Sequence, residues 1–385
     1  MSDQYKEVVS RGLGSRLMNS IKGILIGLLL FVVSFIVLYV NEGRVDLSKV
    51  AEEAIQIDLS EEVQLGLDGL LISSTGELKS DEKIGDTYLV EGDYLLIKRV
   101  VEMYAWEEES HSETEKNIGG SETTETTYTY TTKWTSSPKS SSRFKIEEGH
   151  TNPKLKIDSK TITTKKAMLG LYELDTASVS LPQPFSLDLT EDKVIEKDSF
   201  RLVGDYLYQG NGTLGNPAVG DLRISYLGLE NPMERATIFG SINVSQKSIE
   251  AHRDKKAKLF RVFDGSREEA ITKMATEHST MTWILRLVGF FMMWFGLMAL
   301  FGPISVVLDI LPTFGSISRF SIGLVSFFAS LVLSGVTIIV SKIAHNPVAL
   351  FMVVLIFVVI MLSYLKTKRK KGYVDKDGGS ILNNI

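Results

Sequence analysis

The chain has 385 residues and a mean hydropathy of +0.08, although 23% of its residues are charged. A uniformly soluble chain rarely combines these properties, so the apolar residues are expected to be concentrated in separate segments. Long uncharged runs occur at residues 24–40, 287–308, 321–341 and 346–365. Because roughly 20 apolar residues in a helix suffice to cross a bilayer, a wholly soluble protein is excluded.

Acidic and basic residues are distributed unevenly along the chain. The region between the first two apolar segments is acidic, and the rest of the chain is basic. Residues 41–281 hold 29 Lys and Arg against 42 Asp and Glu, a net charge of −13, whereas the rest of the chain has a net charge of +8. An acidic domain repels the phosphates of nucleic acid, so nucleic-acid binding is not expected. The chain has no cysteine, which excludes disulfides, thiolate metal sites and cysteine nucleophiles.

The first apolar segment has the features of an uncleaved signal anchor. Four basic residues precede it, namely Lys6, Arg11, Arg16 and Lys22. No cleavage site with small residues follows it. The sequence therefore predicts a cytoplasmic amino terminus at residues 1–22 and a membrane helix at residues 23–40.

Basic residues near the other apolar segments predict four crossings in all. The predicted helices are residues 282–308, 321–342 and 346–365; Arg319 lies in the loop 309–320, and the tail 366–385 begins with five basic residues within 366–371. The positive-inside rule then places both termini in the cytoplasm and residues 41–281 on the extracytoplasmic side.

The insert 41–281 is predicted to be a β-rich α+β domain. Residues 94–106 and 124–135 are rich in β-branched and aromatic side chains and predict a hairpin, whereas the connection 107–123 is too polar to pack and is predicted to be mobile. A capping box at Ser266 and Glu269 predicts a helix that continues through Trp283 into the second membrane segment. Four more strands are predicted at residues 160–164, 200–208, 221–227 and 236–244, and short helices at 47–56 and 169–174.

The sequence contains no catalytic or metal-binding motif. Its five histidines are scattered, and no nucleophile elbow, phosphate loop or dinucleotide fingerprint is present. No catalytic, cofactor-binding or metal-ligating residue is therefore predicted, and no enzymatic activity is expected. His150 is predicted to lie at the rim of a turn before Asn152 and Pro153, and it is the residue to test if the insert were a hydrolase.

The membrane segments carry no charge within their cores, which argues against coupled transport. They do carry small residues at the spacing of helix contacts, which allow two backbones to approach closely. We predict that five of these contact another helix: Gly23, Gly27, Ser326, Ser330 and Ser334.

Several short motifs occur in a characteristic order along the chain. They comprise Asn41-Glu42-Gly43-Arg44, then Glu102, Tyr104 and Trp106, then Trp134, then His150 with Asn152 and Pro153, then Gly220-Asp221, and finally Trp283 with Arg286. With the order of the membrane segments, this pattern resembles the LUMA family, also called transmembrane protein 43. The resemblance covers nearly the whole chain.

Members of that family are multi-pass proteins of the endoplasmic reticulum and inner nuclear membrane in animals, with relatives in prokaryotes, and they self-associate and organise other membrane proteins. The resemblance therefore implies a non-enzymatic scaffold that is a homo-oligomer in a lipid bilayer, with other membrane proteins as partners and no cofactor. The expected location is the cell membrane in a prokaryote and the endoplasmic reticulum or inner nuclear membrane in a eukaryote. An oligomeric channel or pore and an extracytoplasmic hydrolase remain as alternatives.

Overall fold

The chain divides into two compact units in the computed structural model, which describes residues 3–117, 121–254, 257–308, 314–353, 355–356 and 358–361. The first unit is mainly β-sheet and consists of residues 3–11 together with the described part of 45–279. The second unit is helical and consists of residues 12–44 together with the described residues from 280 onward.

Strands make up most of the first unit. In chain order they begin with β1 (Asp3–Arg11), β2 (Ile55–Gln56), β3 (Leu71–Lys79), β4 (Ile84–Asp86), β5 (Leu89–Gly92), β6 (Tyr94–Lys116), β7 (Glu122–Thr135), β8 (Lys160–Thr163), β9 (Lys166–Leu169) and β10 (Tyr172–Asp175). They continue with β11 (Phe185–Ser186), β12 (Arg201–Val203), β13 (Tyr206–Gln209), β14 (Leu222–Glu230), β15 (Met233–Asn243), β16 (Ser248–Glu250), β17 (His252–Asp254), β18 (Ala257–Leu259) and β19 (Arg261–Asp264).

The helices are α1 (Leu13–Glu42), α2 (Leu47–Glu52), α3 (Arg267–Leu300), α4 (Gly302–Leu308) and α5 (Phe314–His345), with single 3-10 turns at Leu65–Leu67 and Ser141–Arg143. Of the described helices, α1, α3 and the part of α5 at Phe320–His345 are long and apolar enough to cross a membrane. The described residues of Pro347–Met361 form a shorter apolar helix. The rest of the predicted fourth segment and the tail lie outside the described residues.

Helix α3 begins where the capping box predicts. The Ser266 backbone N–H donates to Glu269 Oε2 at 2.6 Å, and the Glu269 N–H donates to Ser266 Oγ at 3.3 Å. The single helix predicted at 282–308 instead ends at Leu300, and α4 begins after one intervening residue. Pro303 lies in the first turn of α4, where its lack of an N–H is tolerated, whereas within one continuous helix it would remove a hydrogen bond.

The larger sheet has the strand order β1-β7-β6-β14-β13-β12, with β11 also paired to β14 and β8 to β6. All the pairings in this sheet are antiparallel. Its inner face buries a cluster of apolar side chains that includes Ile97, Val101, Phe200, Ile224 and Tyr226. This core fixes the base of the β6–β7 hairpin.

In the second sheet, β15, β16, β10, β9 and β3 pair in turn, and β3 pairs again with β15, so that the five strands form a closed ring. The apolar residues buried with it include Ile72, Leu169, Leu174, Ile238 and Ile249. The first turns of α3 belong to the same unit, and Arg267 Nη2 donates to the carbonyl oxygens of Ala51, Glu52 and Ala54 at the end of α2.

The prediction that residues 107–123 form a mobile connection is wrong for its described residues. β6 and β7 pair without interruption from Met103 opposite Thr135 to Lys116 opposite Glu122. Hydroxyl groups of neighbouring strands also bond across the hairpin, as in Thr114 Oγ1 to Thr124 Oγ1 at 3.0 Å. The prediction considered side-chain burial alone, but backbone pairing needs no apolar side chains, and β-branched threonine favours it.

Other predicted elements differ in extent or type. The helix predicted at 169–174 is the turn between β9 and β10, because Gly170 has φ +59°, a conformation that interrupts a helix. The helix predicted at 47–56 ends at Glu52, and the strand predicted at 200–208 is the hairpin β12–β13. Within the predicted amino-terminal tail, the structure forms β1 and the first turns of α1.

Candidate functional site

The motif residues gather into two groups, one in each unit. We call the first the sheet cluster; it contains Glu102, Tyr104, Trp106, Trp134, His150, Asn152, Pro153, Gly220 and Asp221. We call the second the helix clamp; it contains Asn41, Glu42, Gly43, Arg44, Trp283 and Arg286. Each group joins segments that are far apart in the sequence.

Asn152 takes the place of a neighbouring strand beside β6. The Trp106 N–H donates to Asn152 Oδ1 at 2.7 Å, and Asn152 Nδ2 donates to the Trp106 carbonyl at 2.9 Å and to the Lys139 carbonyl at 3.0 Å. The pairing of β6 with β14 ends at Met103, so Asn152 satisfies backbone groups beyond that point. The motif asparagine therefore has a structural role that its amide geometry explains.

His150 is buried, which corrects the prediction that it lies at the rim of a turn. Its ring stacks on Tyr130 with centroids 3.9 Å apart, and its edge meets Trp106 at 4.8 Å. Nδ1 lies 3.1 Å from the Ile146 carbonyl oxygen, and Nε2 lies 3.3 Å from Asp3 Oδ2 in β1. Neither contact is with a nucleophile, so these contacts do not form a hydrolytic dyad.

Asp221 is buried and organises the loop before β14. Its carboxylate accepts hydrogen bonds from the N–H groups of Asn211 (2.9 Å), Gly212 (3.1 Å) and Ala218 (2.7 Å) and from the Tyr208 hydroxyl. Burial acts to raise the pKa of Asp221, but these four hydrogen bonds outweigh it and lower the pKa below its usual value. The carboxylate is therefore held in its charged form.

Arg223, which follows the Gly220-Asp221 motif, completes the sheet cluster. Its Nε donates to Glu102 Oε2 at 2.7 Å, and its guanidinium lies 4.6 Å from the ring centroids of both Trp134 and Tyr206. Tyr206 and Tyr208 belong to no motif, so sequence reasoning missed them; only the pairing of β13 with β14 places them here.

Gly220 is required by its backbone conformation and by a close neighbour. Its φ is +97°, and a Cβ at this position would lie 2.9 Å from Cγ of Pro153. The adjacent backbone links the motif to β6, because the Gly220 N–H donates to the Tyr104 carbonyl at 2.8 Å. The conformation and the contact with Pro153 explain why glycine occurs at position 220.

The helix clamp joins α1 to α3 through a buried ion pair. Arg286 Nε donates to Glu42 Oε1 at 2.7 Å, and Nη2 donates to Glu42 Oε2 at 2.9 Å. The Glu42 side chain is 3% exposed, and the guanidinium lies 4.9 Å from the Trp283 ring centroid. Asn41 Nδ2 adds a hydrogen bond to the Thr282 carbonyl at 3.0 Å.

Gly43 brings α5 into the same clamp. A Cβ on Gly43 would overlap the imidazole of His345, whose ring lies 4.4 Å from that of Tyr39. Arg44 Nη1 is buried and has no hydrogen-bond partner among the described residues. The Asn41-Glu42-Gly43 sequence thus connects three helices at the end of α1.

The predicted helix-contact residues have different surroundings. A Cβ on Gly27 would lie 2.7 Å from Ala299 Cβ and 2.9 Å from the Gly296 carbonyl oxygen, whereas nothing lies within 4 Å of a Cβ on Gly23. The three serines of α5, Ser326, Ser330 and Ser334, are buried in a helix that packs against α1. For Gly23 the predicted contact with another helix stays a prediction.

Replacing Ser330 by Leu should destabilise the helical unit. Ser330 is fully buried, and its hydroxyl has no hydrogen-bond partner among the described residues, so the larger side chain overpacks the interface at a cost of about 1–3 kcal/mol. Val332→Leu is the control, because Val332 is 63% exposed on the same helix. The melting temperature of the full chain in detergent should fall only for Ser330→Leu, and equal values for the two variants would contradict the buried position.

Replacing Arg286 by Met should cost about 3–5 kcal/mol, because it leaves the buried Glu42 carboxylate without its partner. Combining it with Glu42→Gln removes the uncompensated charge, so the double variant should be more stable than Arg286→Met alone. Lys22→Met, an exposed change in α1, serves as control. The measurement is thermal unfolding in detergent; a double variant less stable than the single one would contradict the pairing.

Replacing Asp221 by Asn should destabilise the β-rich unit by about 2–3 kcal/mol near neutral pH, because one carboxylate oxygen is replaced by a donor that faces N–H groups. Since the folded pKa of Asp221 is lowered, its stabilisation is complete above pH of about 4 and is lost as the pH falls through the folded pKa. The difference in melting temperature between wild type and Asp221→Asn should therefore shrink below pH of about 4. The exposed change Asp205→Asn is the control, and a pH-independent difference would contradict this role.

The sequence model of the Transmembrane protein 43 family matches residues 103–347. Human Transmembrane protein 43 is 27% identical over 383 residues, covering 94% of each chain, and the rat protein is 28% identical over 360 residues, covering 87% of this chain and 88% of its own. The Drosophila melanogaster homolog is 29% identical over 290 residues, which are 71% of this chain and 74% of that protein. No solved structure matches the chain. The matched region includes the sheet cluster except Glu102, together with Trp283 and Arg286 of the helix clamp, and the chain belongs to the transmembrane protein 43, or LUMA, family.

Proposed function

We propose that the chain is a non-enzymatic membrane scaffold that self-associates and organises other membrane proteins through its β-rich unit. The observation that carries this proposal is that the motif side chains make structural contacts within their own unit. Glu102, His150, Asn152 and Asp221 each bind or contact another segment of the same unit. Residues used for chemistry would instead face a cleft with a partner suited to proton or group transfer.

The proposed topology has four crossings, with both termini in the cytoplasm and the β-rich unit on the extracytoplasmic side. The three long apolar helices support three crossings, and the apolar helix within Pro347–Met361 supports a fourth. The basic residues that precede α1 and follow residue 365 support the cytoplasmic location of the termini. The membrane would be the cell membrane in a prokaryote and the endoplasmic reticulum or inner nuclear membrane in a eukaryote.

The β-rich unit has features of an assembly surface. Residues 41–281 carry a net charge of −13, which favours partners with basic surfaces and disfavours phosphate-rich ones. Long β-strands at a sheet edge can also align further chains through backbone hydrogen bonds. The exposed apolar side chains of the helical unit provide a second surface through which copies of the chain could associate.

Self-association through the β-rich unit can be tested with two differently tagged copies of the full chain expressed together. After detergent extraction, the two tags should purify together, and light scattering should give a mass of more than one copy. The assay is repeated with Asp221→Asn at a temperature between its melting temperature and that of the wild type. Association should then decrease, because this variant loosens the β-rich unit.

Val332→Leu is the matched control, since it changes a lipid-facing residue of the helical unit. A single-copy mass for the wild type would contradict self-association. Full association of Asp221→Asn under the same conditions would assign the contact to the helices instead of the β-rich unit.

A further inference from the structure

Two stretches of the sequence consist of an asparagine followed two positions later by threonine or serine, with no proline between them. They are Asn211-Gly212-Thr213 and Asn243-Val244-Ser245, and both lie in the region 41–281. This pattern is the acceptor sequence for N-linked glycosylation, in which an oligosaccharide is transferred to the asparagine side chain. The pattern alone does not distinguish the two sites, but their surroundings in the β-rich unit differ.

Asn211 lies in the loop between β13 and β14, and it is exposed. The backbone of this loop is fixed from within, because the N–H groups of Asn211 and Gly212 donate to the Asp221 carboxylate at 2.9 Å and 3.1 Å. The side-chain amide of Asn211 has no hydrogen-bond partner among the described residues. Its Nδ2 can therefore form a new bond while the loop keeps its conformation.

The other two residues of this first site also suit an acceptor. Thr213 is exposed, and its Oγ1 accepts a hydrogen bond from the Asn216 N–H at 3.1 Å. A Cβ on Gly212 would lie 2.6 Å from the Asn216 carbonyl oxygen and 2.7 Å from the Ala218 nitrogen, so glycine allows the loop to fold closely on itself. The packed side of the loop is thus at residue 212, whereas Asn211 and Thr213 are accessible from solvent.

The asparagine of the second site takes part in the fold. Asn243 is the last residue of β15 and pairs with Ser248 of β16. Its Nδ2 donates to Glu250 Oε1 at 3.2 Å, and its Oδ1 accepts from the Gln246 N–H at 3.0 Å. An oligosaccharide on this Nδ2 would have to be accommodated beside β16. The structure therefore favours Asn211 over Asn243 as the acceptor.

We propose that Asn211 is the acceptor of an N-linked oligosaccharide and that Asn243 is not. The reaction joins Asn211 Nδ2 to C1 of the first sugar of a lipid diphosphate-linked oligosaccharide. The bond from C1 to the diphosphate oxygen breaks, the lipid diphosphate leaves, and Nδ2 loses one of its two protons. The proposal rests on the extracytoplasmic location proposed above for the β-rich unit, because the transfer takes place on that side of the membrane.

An oligosaccharide at Asn211 restricts where partners can bind. It is bulky and hydrophilic, and it would cover the end of the larger sheet at which the chain passes from β13 to β14. β13 also pairs with β12, which ends the strand order of that sheet. Protein partners of the scaffold would therefore contact other parts of the β-rich unit.

The test uses the full chain expressed in animal cells, whose endoplasmic reticulum glycosylates asparagine. An enzyme that removes N-linked oligosaccharides should increase the electrophoretic mobility of the wild type by the size of one oligosaccharide. Asn211→Gln and Thr213→Val should abolish this shift, whereas Thr213→Ser, which keeps a hydroxyl group, and Asn243→Gln should retain it. Because Asn211 is exposed, Asn211→Gln should have the same melting temperature as the deglycosylated wild type.

Asp188→Asn, made together with Asn211→Gln, separates failure of the site from failure of the proposed topology. Asp188 is exposed in the β-rich unit and lies two positions before Thr190, so the change creates a new acceptor sequence. A shift in this variant, with none that depends on Asn211, would overturn the inference and leave the extracytoplasmic location standing. A wild-type shift that is lost in Asn243→Gln and kept in Asn211→Gln would also overturn it. No shift in any variant would overturn both the inference and the topology, whereas self-association is measured independently by the tags.

Discussion

The pairing of β7 along both of its edges is the constraint on which the β-rich unit depends. On one edge β7 pairs with β6, which joins it to the strands that bury the apolar core. On the other edge β7 pairs with β1, which precedes the first apolar helix in the sequence. An isolated two-stranded hairpin is marginally stable in water, so the third strand gives the polar hairpin a reason to remain ordered. The same pairing ties the position of the amino terminus to that of the sheet.

The motif residues share a physical role in spite of their different chemistry. Asn152, Asp221 and Gly220 each complete backbone geometry at the edge of β6 or in the loop before β14. His150 and Arg223 each pack against two aromatic rings and lie close to a carboxylate. Polar residues of this kind look catalytic in a sequence, because catalysis and backbone capping draw on the same side-chain groups.

In the helical unit, a buried ion pair between Glu42 and Arg286 has a comparable structural role. Replacing water around Glu42 and Arg286 is costly, and the bidentate geometry offsets that cost only when both partners are present. The close contacts at Gly27 and Gly43 bring the backbones together, so small residues and one ion pair define how α1 packs on α3 and α5. Close packing of this kind is typical of a rigid structural element and not of a site that must open for a substrate.

The sequence by itself determined the membrane character, the family and the β-rich nature of the insert, because hydropathy, strand propensity and short motifs are local properties. The apolar runs at α1, α3 and α5 and the capping box at Ser266 needed no knowledge of distant residues. The pairing of β1 with β7 required the tertiary structure, since nothing in residues 3–11 specifies a partner more than 110 positions away. For the same reason, the burial of His150, the capture of Asp221 by four donors and the ion pair between Glu42 and Arg286 emerged only once distant segments were brought together.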